Sequence, residues 1–132
     1  MSHPQRIVSL VPSITDSLIG LGAAQRLAGV TDFCPAPLDG SRLERVGGPK
    51  SLEISRILEL KPDLVLANRE ENDRGQVESL IGAGLRVEVE YPLTPDQALE
   101  SLNRLADWVG CSGHPKLAHL QRVLAAAQAQ AG

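Results

Sequence analysis

At 132 residues the chain has the length of one domain, enough to bury a core of its own. Hydrophobic residues make up 42% and charged residues 22%, which excludes general disorder. The formal net charge is -3 with no basic run, so nothing points to nucleic acid or an anionic membrane surface as partner. No stretch approaches the roughly 18 consecutive apolar residues of a spanning helix, so no membrane insertion is expected. The aromatics are Phe33, Tyr91 and Trp108, which leaves Leu, Val, Ile and Ala to build the core. The opening MSHPQRIVSLVPSI is broken by Ser9, Pro12 and Ser13 and lacks the apolar centre of a secretory leader. A cytoplasmic protein is expected from the chain as it stands, or a periplasmic or cell-surface one if a leader has been removed. Cys34 and Cys111 lack metal-knuckle spacing and read as two free thiols.

Residues 6–11 (RIVSLV) form a short β-rich run that Pro12 ends. Ser13 is the expected N-cap of the next helix, with Asp16 reaching back in a capping box and Gly22 closing it. Ile14, Leu18 and Leu21 supply its apolar stripe. Residues 27–31 are a second strand, followed by Asp32, Phe33, Cys34, Pro35, Ala36 and Pro37. The segment 35–49 reads as an irregular excursion with room for a short strand at 45–47. Ser51 is the expected cap of a helix carrying Ile54, Ile57, Leu58 and Leu60 inward, which ends before Pro62.

Residues 63–68 read as a strand buried on both faces through Leu64, Val65, Leu66 and Ala67. Asp73 with Gln76 forms a second capping box, for a helix over 73–83 that Gly84 closes. In residues 86–91, Val87 and Val89 alternate with Arg86, Glu88 and Glu90, which places this strand at a sheet edge with one wet face. Strand, crossover helix and strand together make a βαβ unit. Thr94 with Gln97, and Pro95 at the first helical position, starts a helix to 109 that Gly110 stops. A last helix over 115–130 carries Leu117, Leu120, Leu124 and Ala127 on one face. Four strands alternating with helices predict an α/β fold: a three-layer lobe with a mainly parallel four-stranded sheet, helices on both faces and a C-terminal helix.

Right-handed crossovers send the loops after parallel strands to one edge, where such folds hold ligands. Ser13 reads as a cap, Asp32 as a loop cap or a ligand contact, and Phe33 as core or as a ligand-facing ring. Glu70, Glu71 and Asp73 flank Arg69 and Arg74, which is either a solvated, self-neutralising cluster or a docking surface. His3, His114 and His119 lie away from the strand loops, so no metal trio is expected. No glycine-rich phosphate loop and no nucleophile–base pair is present, so no catalytic residue is assigned.

RIVSLVPSITDSLIGLGA, LAGVTDFCPAP and VGGPKSLEISRILELKPDLVLANREEN together resemble the N-terminal lobe of helical-backbone substrate-binding proteins of ABC importers, those for cobalamin and iron siderophores. The resemblance covers residues 6–110. It implies a non-catalytic lobe that lines half of a cleft through Pro12, Ser13, Phe33, Cys34, Gly48, Pro49, Asn68 and Arg69. Phe33 corresponds to an aromatic against the corrin ring, and Asn68 stands where cobalamin binders often carry tryptophan. The expected ligand is cobalamin or another metal chelate such as an iron siderophore or haem. The resemblance also implies docking on an ABC permease around Glu70, Glu71, Asp73 and Arg74, with Arg74 at the position of the family's docking glutamate. Residues 1–110 form the lobe and 111–132 the start of the bridging helix, with the second lobe absent. A half-site leaves apolar surface uncovered, so a homodimer is a further expectation. The alternatives are a small cytosolic nucleotide-binding enzyme and a protein-interaction module.

Overall fold

The computed structural model describes residues 3–35, 43–113 and 115–131, without the side chains of residues 116, 124 and 127–131. The expected features at residues 36–42, at His114, and at Leu124 and Ala127 of the last helix face lie outside that description. Strand β1 is Ile7–Ser9, β2 is Leu27–Val30, β3 is Glu44–Arg45, β4 is Gly47–Gly48 and β5 is Ser51–Leu52. Strand β6 is Leu64–Asn68 and β7 is Val87–Glu90. The helices are α1 Pro12–Gly20, α2 Ile54–Glu59, α3 Arg74–Gly82, α4 Pro95–Trp108 and α5 Pro115–Ala131.

The main sheet is parallel, in the order β3-β2-β1-β6-β7. It thus has five strands where four were expected, because the dipeptide Glu44–Arg45 adds an edge through Gly29 and Val30. Its two-residue length is too short to give a periodicity signal. The next residues fold back as the antiparallel hairpin β4-β5, outside that sheet. Chain order moves outward from β1 to β2 and β3, then resumes on the other side with β6 and β7. The point of reversal lies between β1 and β6, which places α1 and α3 on opposite faces.

Successive residues of a strand point to opposite faces, so the central strands feed two cores. Ile7, Leu64 and Leu66 pack with Leu18 and Leu21 of α1, Leu102 and Leu105 of α4, and Leu117 of α5. Val8, Val65 and Ala67 pack with Ile57 of α2 and with Val77 and Leu80 of α3. Leu64 through Ala67 are all at 0% exposure. Full burial of each of these larger side chains stabilises by about 1.5–3 kcal/mol, an upper estimate because unfolded chains are partly collapsed.

Four local expectations are corrected. Ser13 is not the cap of α1: Pro12 occupies the first turn and Val11 is the N-cap, with no side-chain hydrogen bond. Proline suits that position because its fixed φ is helical and its missing N–H has no partner to lose. Ser51 is not the cap of α2, because it pairs with Gly48 in the hairpin and Glu53 takes the cap position. Leu58 in turn is exposed rather than inward. The other two capping residues act as expected: Asp73 accepts from Gln76 N and Thr94 from Gln97 N. β7 lies at the edge, but Val89 is 45% exposed while Glu90 is tucked in. Arg104 of α4 explains the inversion by holding Glu90 with two bonds, of 2.9 and 2.6 Å.

Candidate functional site at the strand ends

Because all five strands of the main sheet run parallel, their C-terminal ends share one edge. The turns after β1, β2, β6 and β7 therefore form a common rim, with the point of chain reversal at its centre. Hydrogen bonds from side chain and backbone hold the turns after β1 and β2. After β2, Arg45 Nη1 donates to Thr31 O at 2.7 Å and to Cys34 O at 2.8 Å. Asp32 N donates to Gly47 O at 2.9 Å, which joins this turn to the β4-β5 hairpin. Thr15 Oγ1 lies 2.8 Å from Ser9 Oγ and 3.1 Å from Cys34 Sγ, with one hydroxyl hydrogen to share between them, and Thr31 Oγ1 lies 3.1 Å from the same sulfur.

With both flanks pinned, Phe33 has no core to enter. It stands 73% exposed at the rim, the most exposed of the large hydrophobic side chains described. Its neighbour is Gly48, where an added Cβ would lie 3.7 Å from the Phe33 ring and 2.9 Å from Ser51 Oγ. Gly47 has φ +92, and an added Cβ there would meet Ser51 O at 2.5 Å. Gly47 is thus required by the hairpin, while at Gly48 the Ser51 hydroxyl could turn aside, and the bare Gly48 backbone lies beside the ring.

The expected site residues divide clearly. Pro12, Gly48, Pro49 and Asn68 are half-buried, while Ser13, Phe33 and Arg69 are exposed, and all seven lie on the rim segments. Cys34 differs: its thiol is buried between Thr15 and Thr31, turned from the rim toward the core. Both cysteines are free. Asn68 spends its side-chain oxygen on the turn, accepting from Glu70 N at 2.8 Å and Glu71 N at 3.1 Å. Arg69 stacks over Tyr91, with its guanidinium carbon 5.5 Å from the ring centre. Among the docking candidates, Asp73 serves as a helix cap and Arg74 pairs with Glu78 at 2.9 Å. Glu70, Glu71, Asp73 and Arg74 are all exposed.

Two recesses flank the β6 end. A cavity of about 320 Å³ lies between α1, α4 and α5, with Leu66, Leu102, Leu105, Trp108 and Leu120 in its walls and Ser13 and Asn68 at its mouth. A second, of about 460 Å³, lies on the α3 side against Asn68, Arg69, Val77 and Val89. Between them Arg104 holds Glu90. The hydrogen bond to that carboxylate raises the Arg104 guanidinium above its ordinary range, against the opposing effect of burial. No group of three or more metal-ligating side chains occurs among the described residues.

Sequence reasoning missed Asn72 and Arg45, two polar side chains that help hold the rim segments together. Asn72 stood among five polar loop residues with nothing to distinguish it. Arg45 sat in an excursion with no periodicity to place it. A local signal existed only for Gly47–Gly48, since adjacent glycines mark a tight backbone path.

An exposed aromatic beside bare glycine backbone thus stands on the strand-end edge of a three-layer α/β lobe, the edge at which such folds hold ligands. Residues 7–130 match the periplasmic binding protein family, and the chain belongs to it. A vitamin B12-binding protein of Yersinia pestis (strain Pestoides F) is 33% identical over 115 residues, 87% of this chain and 40% of that protein. The crystal structure of a periplasmic haem-binding protein from Pseudomonas aeruginosa is similar at a TM-score of 0.78 and 29% identity, over 95% of this chain and 46% of that one. A periplasmic vitamin B12-binding protein of Vibrio cholerae gives a TM-score of 0.78 at 28% identity, over 90% and 47%. The chain spans less than half the length of each of these relatives. None of the described helices is long and apolar enough to cross a membrane.

Proposed function

We propose that this chain is a non-catalytic ligand-binding lobe, serving an ABC importer as part of its receptor for cobalamin or another metal chelate such as haem or an iron siderophore. The observation that carries the reading is Phe33, 73% exposed beside the Gly48 backbone at the rim. Water contact with a whole aromatic face is unfavourable, and a flat macrocycle laid on it removes that contact. Arg69, held over Tyr91, and the exposed Lys50 offer cations to acidic groups on the ligand's periphery. The names of the relatives support the same ligand class. Cobalamin stacking is one-sided here, because Asn68 presents a turn-forming amide rather than a second ring.

Pro12, Ser13, Phe33, Gly48, Pro49, Asn68 and Arg69 are the contact set, with Cys34 contributing through its backbone alone. Docking on a permease falls to Glu70 and Glu71, whose carboxylates are not engaged in the turn. Residues 1–110 act as the lobe and α5 begins the connecting helix, through Leu117 and Leu120 against the α1–α4 face. The periplasmic relatives favour the periplasmic or cell-surface setting over the cytoplasmic one. Self-association as a homodimer is part of this reading, and light scattering after size exclusion tests it by a mass twice that of the chain. Isothermal titration with cyanocobalamin, haemin and a ferric siderophore decides the ligand. Binding of at least one supports the reading, and silence with all three removes it while leaving the fold intact.

A further inference from the structure

Asn72 is 2% exposed, although it stands between exposed Glu71 and Asp73 in the loop after β6. Its Nδ2 donates to Leu10 O and to Pro49 O, each at 3.0 Å, and its Oδ1 accepts from Asn68 N at 2.9 Å. Both N–H groups and the oxygen of one amide are therefore engaged. The three partners belong to three separate segments: the end of β1, the tip of the β4-β5 hairpin and the end of β6. That hairpin lies outside the main sheet, and Asp32 N donating to Gly47 O and Leu52 N donating to Gln76 Oε1 tie its two strands but not its tip. The other described tie at its tip, Lys50 Nζ donating to Glu70 O, is exposed, where water competes. A buried amide with every bond made is stable in one arrangement and unfavourable in others.

We propose that Asn72 is a positioning residue of the binding rim. Its amide fixes the Phe33–Gly48 side of the rim relative to Ser13 after β1 and to Asn68 and Arg69 across the chain reversal. Alanine supplies no group to bridge the segments. Aspartate keeps the acceptor for Asn68 N but cannot donate to either carbonyl while ionised. The proposal rests on the ligand-binding reading, but part of its test does not.

The test uses the whole chain with cyanocobalamin and haemin as probes. Asn72→Ala is expected to weaken whichever probe the unmodified chain binds by at least about tenfold. Leu80→Ala, a core change in α3 chosen to lower stability as much or more, is expected to leave affinity within about twofold. Asn72→Asp is expected to bind weakly at neutral pH and to recover, relative to the unmodified chain, as the pH falls and a protonated carboxyl can donate again. Hydrogen exchange without any probe is expected to speed up in Asn72→Ala at Asn68, Glu70, Glu71 and the hairpin, with Val8 and Val65 unchanged. Equal weakening by Leu80→Ala, or unchanged exchange in the rim segments, overturns the proposal. If the unmodified chain binds neither probe, the ligand reading falls for those two compounds and the exchange result alone decides the role of Asn72.

Discussion

Replacing Phe33 by alanine separates ligand contact from folding more cleanly than any other change to this rim. The side chain is 73% exposed, so the free protein has little to lose. A ring residue carries roughly 200 Å² of surface, of which about 150 Å² is then open. A flat ligand that covers half of the open area buries about 75 Å² and gains about 2 kcal/mol at ~25 cal/mol per Å². That corresponds to about a 25-fold change in Kd. Folding stability is expected to fall by no more than about 1 kcal/mol, since only the contact with the Gly48 backbone is lost. Titration calorimetry with the chelate that the unmodified chain binds gives the first quantity, and urea unfolding gives the second. Phe33→Leu should recover part of the affinity. If Phe33→Ala binds within about threefold of the unmodified chain, the ring does not face the ligand and the argument from its exposure fails.

Gly47→Ala places a side chain at φ +92 and 2.5 Å from Ser51 O, and is expected to lower stability by at least about 2 kcal/mol in urea unfolding. Arg104→Met strips Glu90 of its two bonds and is expected to cost about 1 kcal/mol, less in high salt, because Arg104 is half-exposed. The raised Arg104 group adds stability below its unfolded titration point and loses it only as pH climbs through the folded one. Both points lie in strongly alkaline solution, so the Arg104 contribution to a stability profile should be flat through the neutral range. Labelling with a thiol reagent should modify Cys111 well before Cys34, which is 6% exposed, and equal rates would contradict the inward thiol. Asp73→Ala removes the cap of α3 and should cost about 1 kcal/mol, read as a lower thermal midpoint.

The residues that announced the fold did so through local rules. The run Leu64-Val65-Leu66-Ala67 is apolar on both faces because both faces are covered, and that is legible without coordinates. Asp73 with Gln76 and Thr94 with Gln97 mark helix starts because a cap satisfies backbone donors within three residues. Ser13 and Ser51 carried the same signal and were decided otherwise, one by Pro12 at the first helical turn and one by pairing in a hairpin. The strand-end positions of Phe33 and Asn68 could be read from the sequence, and Gly48 only from the family resemblance, but not their relation across the sheet.

What the sequence determined by itself is the alternation of strand and helix, and hence a rim on which the residues after each strand collect. Tertiary structure decided which side chains reach it. Cys34 turns inward because Thr15 and Thr31 converge on its sulfur. Phe33 turns outward because the backbone on both sides of it is held by Arg45 and Gly47. Asn72 becomes the centre of three segments only because Leu10, 62 residues earlier, and Pro49, 23 residues earlier, are brought to its amide. Periodicity and capping act over a few residues, whereas burial and hydrogen-bond satisfaction are settled between segments that meet only in the folded chain.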